Sequence, residues 1–197
     1  MNLERFCLKF FARPGAEIDD AVFIEIFHEW IRLKKLGGIL LDVADYRHVP
    51  NGPGIMLITH EINFAMDYGS GRFGLLAQRK LGRGHNQVER ILELVQATVA
   101  FGALLESDPR LAGGLKLEAG AFHFISNDRL LAPNRLDTFD DLKPNLEAAA
   151  AILYPGQTVS VTRLNNDPRD RLTAVIDTGQ TVNISVLLET VGVALQK

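Results

Sequence analysis

One cysteine in 197 residues has nothing to pair with, so no internal disulfide and no multi-cysteine metal centre can form. An excess of basic charge is missing too. The 21 Lys and Arg face 24 Asp and Glu, a formal net charge of -3 and a pI of about 6.0, so no global positive field draws the chain to nucleic acid or anionic lipid. The densest basic groups are Arg79, Lys80 and Arg83, and then Arg163, Arg169 and Arg171; both are too small for a duplex-binding surface. No nucleic-acid partner is expected. Long apolar runs are absent as well: nothing approaches the roughly 20 apolar residues that span a bilayer. The longest such segment, Val95 to Leu105, is interrupted by Gln96, Thr98 and Gly102 and reads as a core helix. The opening residues mix apolar positions with Glu4, Arg5 and Lys9 instead of forming the unbroken apolar run of a signal peptide. The expectation is a cytoplasmic protein with no membrane partner.

What is present is ordinary globular composition, 47% hydrophobic and 23% charged residues, enough for a substantial core. Alternation over Arg5–Phe11 predicts a strand with Phe6, Leu8 and Phe10 on one face. Cys7 falls on the more polar face and reads as a small, partly buried residue with no base beside it to activate it. Asp19 or Asp20 can cap a helix to Lys35 whose apolar stripe carries Phe23, Phe27 and Trp30, with Gly37 and Gly38 supplying its end. Ile39–Val43 reads as a strand covered on both faces, followed after the turn Pro50–Gly54 by strands at Ile55–Thr59 and near Phe73–Arg79. A long helix runs from about Asn86 to Glu106.

The second part of the chain reads in the same order. A strand near Ala121–Ser126 precedes a helix from about Phe139 to Leu153, with Thr138 and Asp141 as its capping box. Strands at Thr158–Arg163 and Arg171–Asp177 and a helix over Val186–Leu195 complete it. The predicted fold class is therefore α+β, two similar strand-helix-strand-strand-helix halves (1–110 and 111–197) sharing one core in a single domain. The almost wholly apolar last helix and a mean hydropathy of +0.06 point to a homodimer through that helix.

The candidate chemistry lies in Leu41–Asp67. Asp42 and Asp45 end a strand, where mixed α/β proteins often present ligand-binding side chains; His48 follows in the loop, then His60 and Glu61 at the end of the next strand, and Asp67. Three readings stay open. Asp and His together can ligate a metal, although Asp-x-x-Asp-x-x-His is no recognised spacing and no His-x-x-x-His pair occurs. A histidine with a carboxylate, such as His48 with Asp45, can act as an acid/base pair. Asp and His beside Asn-Gly-Pro-Gly also commonly hold a turn by bonding its N–H groups. Arg129 and Asn134, flanking Leu-Leu-Ala-Pro, either hold their loop or line a site. Gly82-Arg83-Gly84 lies between a strand and a helix, where free N–H groups can take an anion, but it lacks a third glycine and a P-loop Lys-Ser/Thr; an ordinary connection and no cofactor are expected.

The segments Phe27–Ile31, Leu41–Gly54 with its Asp-Val-Ala-Asp-Tyr, His60-Glu61, Asn127–Asn134 and Asp167–Arg171 resemble an uncharacterised family of bacterial proteins. The resemblance implies a bacterial cytosolic protein and one full-length domain, and it implies no activity, cofactor or catalytic residue. From the residues, the expected function is a binding or interaction module with a polar pocket around Asp45, His48 and His60. The alternative is a small hydrolase or isomerase using a His–carboxylate pair or a weakly held divalent metal.

Overall fold

The alternation in the first strand divides the molecule. In β1 (Phe6–Ala12), Phe6, Leu8 and Phe10 point into one large apolar core, while Cys7, Lys9 and Phe11 point to the other side of the sheet. The computed structural model describes residues 1–15, 18–81, 84–111 and 113–196. Eight strands form one antiparallel sheet in the order β2-β3-β4-β5-β1-β6-β8-β7, where β2 is Leu40–Asp45, β3 Ile55–Thr59, β4 Ile62–Asp67, β5 Gly74–Arg79, β6 Leu117–Ser126, β7 Ser160–Arg163 and β8 Thr173–Asp177. Four helices, α1 (Ala21–Leu33), α2 (Gln87–Glu106), α3 (Leu136–Leu153) and α4 (Ile184–Ala194), bury their apolar sides in the core on the Phe6–Phe10 face. The opposite face carries no helix among the described residues, so loops and its own long side chains are its only cover. The fold is α+β.

The first part of the chain lays down five strands and the second three, so the two parts differ in strand number. In both, the opening strand is followed by a helix to the sheet edge, and the last strand returns to lie beside the opening one: β5 beside β1, β8 beside β6. One core runs through both parts, joined across the central β1–β6 pair by Phe6 stacked on Phe124 (4.8 Å) and Phe10 against Phe122 (5.1 Å).

Several local expectations are corrected. Ile39–Val43 was expected to be covered on both faces, yet β2 is an edge strand with Leu41 and Asp42 exposed, because the chain leaves α1 at the rim and returns to the centre strand by strand. On that edge the Asp42 carboxylate accepts the N–H of Val43 (2.8 Å). The strand β4 follows β3 through a two-residue turn, His60-Glu61, closed by Thr59 Oγ1, which accepts the N–H of Ile62 (3.1 Å). Asp19, not Asp20, accepts the free N–H of Ala21 (3.0 Å), and α1 ends on Lys34 in the left-handed conformation (φ 51°) before the glycines are reached. The helix α3 begins at Leu136, so Thr138 lies inside its first turn and is not its cap. Cys7 is wholly buried, not partly, and burial pushes its thiol up to about 11, which keeps it protonated and inert.

Candidate functional site

The sequence-predicted residues do not converge. In the β2–β3 hairpin, Asp45 pairs with Ile55 and Leu40 with Thr59, so Asp45 and His60 stand at opposite ends of the ladder. Asp45 is bound in two places by Arg47 (Nη2 2.6 Å, Nε 3.0 Å), which also donates its backbone N–H. These bonds hold the Asp45 carboxyl down at about 2, so it serves its own loop; His48 is exposed beside it. The loop turns on Asn51 (φ 55°) and on Gly54 (φ 62°), where a Cβ would lie 2.2 Å from the carbonyl oxygen of Met66. Glu61 is exposed, and among the described residues no group of three His, Cys, Asp or Glu could hold a metal ion. Of the Gly82-Arg83-Gly84 anion reading, residues 82 and 83 lie outside the described residues; the N–H of Gly84 is taken by Glu93 (3.1 Å).

Asp67 instead forms a buried ion pair with Lys9 (2.5 Å) on the uncovered face of the sheet. The same ammonium donates to the carbonyls of Gly69 (2.6 Å) and Arg72 (2.8 Å), so all three of its donors pin the β4–β5 turn down onto the sheet. That turn is one wall of a cleft of about 760 Å³. Its floor is His123, Ile125 and Thr173 of β6 and β8; Asn51 and Gly71 stand on one side and Leu164–Arg171, the β7–β8 loop, on the other.

Asn134 builds that second wall. Buried, it donates to Asn166 Oδ1 (2.8 Å) and the carbonyl of Asp167 (3.0 Å), and it accepts from Arg163 Nη1 (2.9 Å). Of the two openings left for this pair, Asn134 holds the loop and Arg129 lines the site.

The cleft is basic. Arg169 is committed to Asp167 (2.8 Å), and Asp170 is the lining carboxylate. Arg129 donates to the carbonyl of Arg169, and Arg171 lies over β1, reaching Cys7 Sγ (3.8 Å) and Asn127 Oδ1 (3.4 Å). Arg72, next to Gly71, lies over the Phe11 ring (4.1 Å), which meets His123 in a T-shaped contact (4.7 Å). Among the described residues none of these three guanidinium groups has a carboxylate partner. A chain with net charge -3 thus brings to the lining of one cleft two arginines, Arg129 and Arg171, that have no carboxylate partner among the described residues; Arg72 lies outside that lining, beyond Gly71.

Burial, then Lys9 and Arg72, pushes His123 down to about 4, so its ring is neutral at pH 7. The folded value lies below the unfolded one near 6.5, so the stability from burying the neutral ring is complete above pH 6.5 and is lost as pH falls toward 4. For a half-buried ring this is on the order of 1–2 kcal/mol after solvent screening. His123→Gln should therefore narrow the drop in melting temperature between pH 7 and pH 4.5; an unchanged drop would show that His123 carries no part of it.

The cleft residues that sequence reasoning missed include His123 and Arg171. Their signal was there: the central strands β1 and β6 each carry a lone basic side chain, Lys9 and His123, on the face opposite Phe6, Phe10, Phe122 and Phe124, as an uncovered sheet face would. A scan of family models, a search of curated proteins and a search of solved structures found no match to the chain.

Proposed function

We propose that this protein is a binding module that takes a small anionic ligand in the cleft between the β4–β5 turn and the β7–β8 loop. One observation carries the reading: Arg129 and Arg171 line a cleft of about 760 Å³ and have no carboxylate partner among the described residues. Guanidinium groups left free of ion pairs on a partly dry floor favour phosphate or carboxylate, which accept their paired donors. The expected polar pocket thus moves from Asp45, His48 and His60 to the uncovered sheet face. No His–carboxylate chemistry is drawn from the hairpin, since Arg47 occupies the Asp45 carboxylate.

Calorimetric titration with inorganic phosphate at low ionic strength should show binding that weakens with added salt. Arg171→Gln and Arg129→Gln should each weaken it by about tenfold, the loss of one charge-assisted contact. Equal binding by wild type and both variants would place the anion elsewhere.

Cytoplasmic location and membership of the bacterial family resembled above are part of the same proposal. So is a homodimer. The helix α4 buries Ile184, Leu187 and Val191 inward and leaves Val186 (52%) and Val193 (59%) exposed on its outer side. Light scattering at high concentration should give twice the chain mass, and Val186→Asp/Val193→Asp should give a monomer; a monomeric wild type would remove the dimer.

A further inference from the structure

We infer that the protein holds a second site, separate from the cleft, for a small zwitterion: a free α-amino acid with an apolar side chain. It lies on the helix side of the sheet, where α2 meets the start of β4 and the end of β5. A pocket of about 220 Å³ there is lined by Glu61, Arg79 and Glu93 together with Ile62, Leu81, Leu94 and Ala97. It shares no lining residue with the cleft.

The opposite charges in this pocket have not closed on one another. Arg79 is 2% exposed. Its Nη1 donates to the carbonyl (2.7 Å) and the carboxylate (3.2 Å) of Glu4, while its Nη2 has no hydrogen-bond partner. A buried donor left unpaired costs stability and calls for a group that completes it. Two carboxylates line the same pocket, yet the one that pairs with Arg79 is Glu4, and among the described residues neither Glu61 nor Glu93 has a cationic partner. A lone anion would be repelled by the two glutamates, and a lone amine by the guanidinium. A molecule with one carboxylate and one ammonium group satisfies both signs at once.

Size and polarity narrow the class. About 220 Å³ is below the roughly 300–1,000 Å³ of sites for drug-sized ligands, so the zwitterion is small. Ile62 and Ala97 also border an apolar hollow of about 290 Å³, continued by Leu36, Ile39, Leu40 and Phe64, which suits an aliphatic side chain.

The test is calorimetric titration of the full chain at neutral pH with four probes. They are L-leucine, isocaproate (leucine without its amine), isopentylamine (leucine without its carboxylate) and L-glutamate. Leucine should bind at least about tenfold more tightly than either truncated analogue, each of which lacks one charge-assisted contact. It should also outbind glutamate, whose side chain brings a second carboxylate toward Glu61 and Glu93. Glu61→Gln/Glu93→Gln, which keeps an acceptor for the N–H that Gly84 donates to Glu93, should weaken leucine by about tenfold and isocaproate not at all. Arg129→Gln in the cleft should leave leucine affinity unchanged. Any of the other three probes binding as tightly as leucine, leucine affinity untouched by the double variant but lowered by Arg129→Gln, or no leucine binding overturns the zwitterion site. None of these outcomes decides whether the cleft takes phosphate.

Discussion

Replacing Lys9 by Met should destabilise the fold by about 3–5 kcal/mol, because it leaves the Asp67 carboxylate buried without its partner. Lys9 is 2% exposed and Asp67 7%, so water cannot take over the lost contacts. The two carbonyls that the ammonium bonds, those of Gly69 and Arg72, are stranded at the same time. For a chain of this size the melting temperature should fall by roughly 6–20 °C. Lys9→Met combined with Asp67→Asn should recover a large part of the loss, since neutral groups carry a smaller desolvation penalty than a lone carboxylate. The two mutants are compared by chemical denaturation. A single mutant within 1 kcal/mol of wild type would show that the pair is not what fixes the turn.

Trp30→Ala should cost a similar amount, about 3–5 kcal/mol, by a different route. Trp30 is 1% exposed, meets Phe101 of α2 edge-on (5.1 Å) and leans on Phe27 one turn back in α1 (5.9 Å). Phe101 in turn stacks on Phe64 of β4 (4.2 Å), so the indole joins α1 to α2 and, through α2, to the sheet. Deletion leaves a void where three rings meet, and close-packed neighbours relax into it only partly. Denaturant titration should show the midpoint falling with an unchanged slope, and a midpoint equal to wild type would place Trp30 outside the core.

The two variants also mark what could be read from the sequence. The Phe23, Phe27 and Trp30 stripe and the bounds of β3 were legible because local periodicity and a Pro/Gly-rich turn dictate them. The strand β4 was not, because His60-Glu61 turns the chain without glycine or proline and relies on the Thr59 hydroxyl. The edge position of β2 was hidden as well: an apolar run reads alike at the centre and at the rim, and only strand order distinguishes them. The candidate site failed for a related reason. Asp45 and His48 are close in sequence, and their loop uses Asp45 for itself, while His123, Arg129 and Arg171 come from three separate segments. Long-range pairing of β1 with β5 and β6 assembles them, and no local spacing records that.

That pairing also sets the order of events at the ribosome. The strand β1 is synthesised first among the eight, yet both of its sheet neighbours come much later, and Ser126 is the residue that closes its ladder with Phe6. At about 5–20 residues per second the nascent chain holds Phe6, Leu8 and Phe10 without their final cover for roughly 6–24 s. The strands β2 to β5, and β7 with β8, can pair through local connections, but the joins of β1 to β5 and to β6 close long loops. The rate of productive folding should then be governed by closure of those long loops, and the waiting segment is the stretch where a chaperone would have most to shield.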